Sequence, residues 1–168
     1  MVDNKYDAIG AKEETMGDLL VVVQGWVNFW LLCKEGYIEV VQTAIEDGAD
    51  VNEADFGGRT GLMWALKNSH NSVVQSLLHH PQTDFNKLDL KGCSALHWAV
   101  FGDNHEGMVA LLAQNDQSIN QKDRYGQTPI MNAVGWNAVN CFHLLLTNPL
   151  VDLDTKDYYE RRPQEVLR

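Results

Sequence analysis

The stretch Asp89-Leu-Lys-Gly92-Cys-Ser94-Ala-Leu96-His97-Trp98-Ala99 decides the fold. Asp89 and Gly92 carry turn chemistry, and Ser94 is a good N-cap because its hydroxyl can bond a free backbone N–H. Leu96, Ala99 and Val100 then recur at helical spacing, so a turn leads into a helix with one apolar face. The stretch returns. Thirty-four residues earlier stands Asp55-Phe-Gly-Gly58-Arg-Thr60-Gly-Leu62-Met-Trp-Ala65, and thirty-four later Asp123-Arg-Tyr-Gly126-Gln-Thr128-Pro-Ile130-Met-Asn-Ala133. A degraded copy begins at Asp157-Tyr-Tyr-Glu-Arg-Arg162-Pro163. A fixed period of this size marks a stack of structural repeats.

The motif resembles the ankyrin repeat, whose opening reads Asp-x-x-Gly-x-Thr-Pro-Leu-His-x-Ala. Its second half is present too, from Gly36-Tyr-Ile-Glu-Val-Val-Gln42 to Gly48-Ala-Asp-Val-Asn-Glu-Ala-Asp55. The resemblance covers roughly residues 26–168. It implies an all-α solenoid of helix-turn-helix repeats carrying β-turn fingers, and a protein-binding role without catalysis. The expected organisation is a polar segment 1–17 and a repeat domain 18–168, with repeats at about 18–54, 55–88, 89–122 and 123–156 and a partial copy at 157–168.

Helices are expected near Trp26–Cys33, Ile38–Asp47, Gly61–Asn68, Ser72–His80, Ala95–Gly102, Glu106–Asn115, Pro129–Trp136 and Val139–Thr147, with another starting in the final copy. Gly48 and Pro81 stop the helices before them, and Pro129 suits a first helical position. The apolar strip Leu19–Val23 either folds back over the end of the stack or is a patch that a partner covers.

With 168 residues, 45% of them apolar, the chain can bury a core that runs as a ribbon between repeats. A net charge of −10 argues against nucleic acid and mildly favours a partner with a basic surface. Cys33, Cys93 and Cys141 show no paired spacing, and no Asn-x-Ser/Thr acceptor occurs, which points to a reducing intracellular compartment, the cytoplasm first and the nucleus second. The Leu19–Cys33 run is interrupted by Gln24, Gly25 and Asn28 and is too short for a membrane span. A monomer is expected.

Scaffold positions leave two sets of residues for function. On the finger tips stand Phe56, Arg59, Leu90, Lys91, Arg124, Tyr125, Tyr158, Tyr159 and Arg161, the residue types that dominate binding hot spots. They form either a contact line or finger-to-finger packing. On the first helices, Trp64, Trp98 and Trp136 either line the concave face as an aromatic strip or lie flat between repeats as core.

No cofactor, metal or catalytic residue is expected. His97 holds the position at which the family ties neighbouring repeats by hydrogen bonds, a role that Met63 and Met131 cannot fill at the matching places. Cys93, Ser94 and His97 lie close in sequence, but Ser94 is needed as a cap and Cys93 sits on a tip with no base directed at it. The family also implies hydroxylation of loop asparagines, here Asn52, Asn86 and Asn120. The primary expectation is therefore a module that binds another protein. The alternative is an I-kappa-B-like inhibitor that sequesters a transcription factor.

Overall fold

A computed structural model describes residues 28–114 and 118–166. The segments 1–17 and Leu19–Val23, the start of the Trp26 helix, and Asn115 lie outside the described residues. Eight α-helices occur among those described: α1 Phe29–Glu35, α2 Ile38–Glu46, α3 Gly61–Lys67, α4 Asn71–His79, α5 Ala95–Phe101, α6 His105–Gln114, α7 Pro129–Gly135 and α8 Val139–Thr147. The only pairing of extended backbone among them is an isolated antiparallel bridge between Ala54 and Thr60.

Odd-numbered helices stack in one layer and even-numbered helices in a second, each touching the equivalent helix of the next repeat. The core is the ribbon between the layers, with Leu62, Leu66, Leu96, Ile130, Val74, Leu77, Met108 and Leu145 all buried. This follows from sequence. Apolar residues recur at three- and four-residue spacing on short helices that cannot hide that face alone.

The seven helices from α2 onward lie within one residue of their expected bounds. The first-layer helices stop one residue early, with Asn68, Gly102 and Trp136 as C-caps at ψ of 5, −2 and 1°. One expectation needs correction. The final copy forms a 3-10 turn, Pro163–Glu165, rather than a helix within the described residues. Beside that turn an apolar groove of about 410 Å³ opens between α7 and α8, lined by Val134, Phe142, Leu146 and Pro163. No described helix is long and apolar enough to cross a membrane.

Candidate functional site

Each finger is built by one aspartate. Asp55 Oδ1 accepts the N–H groups of Gly57 and Arg59 at 2.8 and 3.0 Å. Asp89 does the same for Lys91 and Cys93, Asp123 for Tyr125 and Gln127, and Asp157 for Tyr159 and Arg161, all at 2.7–2.9 Å. The turn closes on a left-handed residue, Gly58, Gly92 or Gly126 at φ of 73–77° and Glu160 at φ 63°. Glycine suits that backbone and glutamate does not. In the degraded copy, then, the aspartate bonds hold the turn without help from glycine.

Neighbouring fingers are sewn together by their backbones. The N–H groups of Leu90, Arg124 and Tyr158 donate to the carbonyls of Gly57, Lys91 and Tyr125 at 2.8–3.1 Å. The two readings of the tips therefore apply to different atoms. Backbones pair finger to finger, while side chains stand outside: Phe56 is 102% exposed and Leu90 77%, with Tyr158, Tyr159, Lys91 and Arg124 also exposed. Tyr125 is 42% exposed, with Arg124 bonded to its hydroxyl and 4.7 Å over its ring.

Arg59 and Arg161 are half-buried because each folds back onto its own finger aspartate, Arg59 Nε on Asp55 at 2.6 Å and Arg161 on Asp157 at 2.8 Å. Burial by itself would raise the Asp55 carboxyl. The amides of Arg59 and Gly57, the Arg59 guanidinium and the Trp64 indole together hold it below the usual range. Asp157 is held low in the same way by Arg161 and Tyr159.

The strip of three half-exposed tryptophans is not what forms. Trp64 and Trp98 are 8% and 6% exposed, whereas Trp136 is 68% exposed. Trp64 and Trp98 are buried because both ends of each indole find partners. Their Nε1–H groups donate to Asp55 Oδ2 at 3.2 Å and Asp89 Oδ2 at 3.0 Å, and their rings meet with centroids 5.3 Å apart. At the matching place in the next repeat Asn132 takes the indole's role, donating to Asp123 Oδ2 at 3.4 Å.

Sequence reasoning missed Phe101, which continues the ladder from Trp98 at 5.5 Å to Trp136 at 5.6 Å. It missed Lys34 and Lys67 as well, whose ammonium groups sit 5.1 and 5.2 Å over Trp64. The thirty-four-residue register that places Lys67 at the end of α3 was the available signal.

His97 ties two repeats. Its Nδ1 accepts from the Ser94 N–H at 3.1 Å, and its Nε2 lies 3.1 Å from the Gln127 carbonyl, which assigns the proton to Nε2. Burial lowers its pKa, so the ring is held neutral. Met63 supplies only the local half of this device, accepting from Thr60 N–H at 3.4 Å. In the Met131 repeat the buried Thr128 hydroxyl has no hydrogen-bond partner.

Cys93 corrects a second expectation, since it lies buried beneath its tip instead of on it. Burial pushes its thiol up to about 12, far from a nucleophile's range. Among the described residues no three His, Cys, Asp or Glu side chains are grouped to hold a metal ion. Asn52 and Asn120 bridge successive loops, donating to the carbonyls of Gln82 and Leu150 and accepting from the N–H groups of Asp84 and Asp152.

A family model described as ankyrin repeats (3 copies) matches residues 16–89 and again 81–157. The chain belongs to the ankyrin-repeat family. Similar stretches of this ankyrin-repeat chain occur in mouse (Mus musculus) Rabankyrin-5, 37% identical over 60 residues, which is 36% of this chain and 5% of that protein. They occur also in the Arabidopsis thaliana E3 ubiquitin-protein ligase XBAT33, 46% identical over 44 residues, 26% of this chain and 9% of that one. A probable E3 ubiquitin-protein ligase XBOS33 from Oryza sativa subsp. japonica is 43% identical over 44 residues, 26% and 8%. The chain thus spans less than a tenth of each relative. Ankyrin repeats are in general protein–protein interaction modules, and their fold is typically non-catalytic.

Proposed function

We propose that this chain is a non-catalytic recognition module that binds a partner protein along its finger tips and the exposed end of its aromatic ladder. The observation that carries the reading is the sewn row of fingers. It holds Phe56, Leu90, Tyr158 and Tyr159 in water on backbone already fixed by aspartate and inter-finger hydrogen bonds. Side chains on so rigid a row lose little further freedom on binding. Arg59, Lys91, Arg124, Tyr125, Trp136 and Arg161 complete the surface, whereas Trp64 and Trp98 support it from beneath. A standard interface covers about 800 Å² per partner, within reach of three adjacent repeats.

The test compares quantitative affinity capture by the wild type and by a Phe56→Ala/Tyr158→Ala/Tyr159→Ala variant. Proteins held by the first should be released at least tenfold more readily by the second, with thermal unfolding unchanged. Identical capture by both sinks the reading. A net charge of −10 favours a second reading, an inhibitor that sequesters a transcription factor by its basic segment. That inhibitor would use the even-numbered helices and the loops after them, where Glu39, Glu46, Asp84, Glu106 and Asp154 are exposed. Its signature is binding that collapses with salt and a factor that loses its hold on DNA. The three buried free cysteines support a reducing intracellular setting for either reading.

A further inference from the structure

Three cations gather over the buried tryptophans behind the first and second fingers, in a chain whose net charge is −10. Arg59 lies 4.5 Å over the Trp64 ring and 5.9 Å over Trp98. Lys67 lies 5.2 and 5.5 Å over the same two rings, and Lys34 5.1 Å over Trp64. Adjoining them through Arg59 and Trp98 is a basin of about 310 Å³ lined also by Asp89, Leu90, Lys91 and Arg124, which brings the cations near it to five.

The carboxylates nearby are already committed. Asp55 holds Arg59 at 2.6 Å, and Asp89, which lines the basin, accepts the amides of Lys91 and Cys93 and the Trp98 indole without pairing to a cation. Glu35 reaches Lys34 only at 3.9 Å. Among the described residues, no ion pair includes Lys67, Lys91 or Arg124. Like charges crowded on a shared aromatic floor repel one another, and the indole faces with the Asp55 and Asp89 carboxylates offset only part of that repulsion. An incoming anion would relieve the rest.

We propose that this basin docks an acidic peptide segment of the partner. Glutamate or aspartate side chains meet Lys91 and Arg124 in the basin and Lys67 over the adjoining Trp98, and an apolar neighbour in the peptide lies on Leu90. The proposal deepens the protein-binding reading and rests on it. A peptide fits better than a nucleic-acid strand, because base stacking needs an open aromatic face. Here both indoles are buried, with arginine and lysine spread over them.

The experiment uses the full chain and fluorescence anisotropy with three probes: a capped peptide of repeating Glu-Leu-Ser, its Gln-Leu-Ser isostere, and an oligothymidylate of equal length. The glutamate peptide should bind with a Kd below about 1 mM and at least about tenfold more tightly than the isostere, with affinity falling as salt rises. Lys67→Gln/Lys91→Gln/Arg124→Gln should weaken it by about tenfold or more while leaving the melting temperature in place. A Lys67→Glu/Lys91→Glu variant should lose the glutamate peptide and gain a Lys-Leu-Ser peptide, which a misfolded protein would not do. Equal binding of the two uncharged and charged peptides, no binding of the glutamate peptide, or tighter binding of the oligonucleotide overturns the proposal. If captured partners are lost with Phe56→Ala/Tyr158→Ala/Tyr159→Ala but kept by the glutamine variant, the acidic docking point fails and the finger-tip reading stands. If neither variant loses them, both fail.

Discussion

Trp64 and Trp98, on helices just behind the first two fingers, are buried, whereas Phe56 on the first finger and Tyr158 and Tyr159 on the fourth stand in water. All five are large aromatics at recurring positions of one repeat. The difference is what each meets. An indole at the first-helix position finds a finger aspartate for its N–H and a second indole for its face. A ring on the tip meets mostly water, Phe56 wholly so and Tyr159 with only the Arg161 guanidinium 5.1 Å over its face. Aromatic type therefore does not set exposure by itself; position in the repeat does, through the partners it brings. Exposure depends on whether the ring's own finger supplies a partner for its polar end and the adjacent repeat a partner for its face.

The harshest way to break this contrast is Trp98→Ala, which empties the step between two repeats. Loss of a large core aromatic costs about 3–5 kcal/mol, to be read as a drop in the urea midpoint. Next comes Asp89→Asn. An amide can still accept from Lys91 and Cys93, but its NH₂ group then faces the Trp98 N–H, donor against donor. About 2 kcal/mol should be lost, and much less in a Trp98→Phe background that has no N–H to strand.

The buried His97 sharpens the comparison with the Met63 and Met131 repeats through pH. Its folded pKa lies below the ordinary 6.5, so the unfolded chain binds the proton first as acid is added. The contribution of the neutral ring is fully present above pH 6.5 and is lost as pH falls through the lowered value. A His97→Met variant, imitating its neighbours, should show a flatter melting profile between neutral and mildly acidic pH.

Glu160→Gly should gain about 1 kcal/mol by giving the fourth finger the residue its left-handed turn asks for, visible as a higher melting temperature. Phe56→Ser comes last, with a stability change within about 0.5 kcal/mol because the ring touches almost nothing. A large loss there would show that the tip is packed and remove the contrast with Trp98.

The turns and the helices from α2 onward were legible before any coordinates because their determinants are local. Aspartate caps its own turn two and four residues on, and a short helix announces itself by apolar spacing. The finger tips were legible as a set for the same reason. Burial of Trp64 and Trp98 was not, since the ring of each is closed over by a residue about thirty-four positions away. Phe101, Lys34 and Lys67 escaped notice because nothing in their own neighbourhoods marks them. They matter only once α1, α3 and α5 lie side by side.

By itself, then, the sequence determined the period, the repeat family, and the placement of almost every described helix, all set by hydrogen bonds and apolar spacing within a few residues. Only the tertiary structure decided which aromatics are sealed in and which meet water, and that three cations gather over two indoles in an acidic chain. Those outcomes arise between repeats, where stacking brings together groups that the chain keeps far apart.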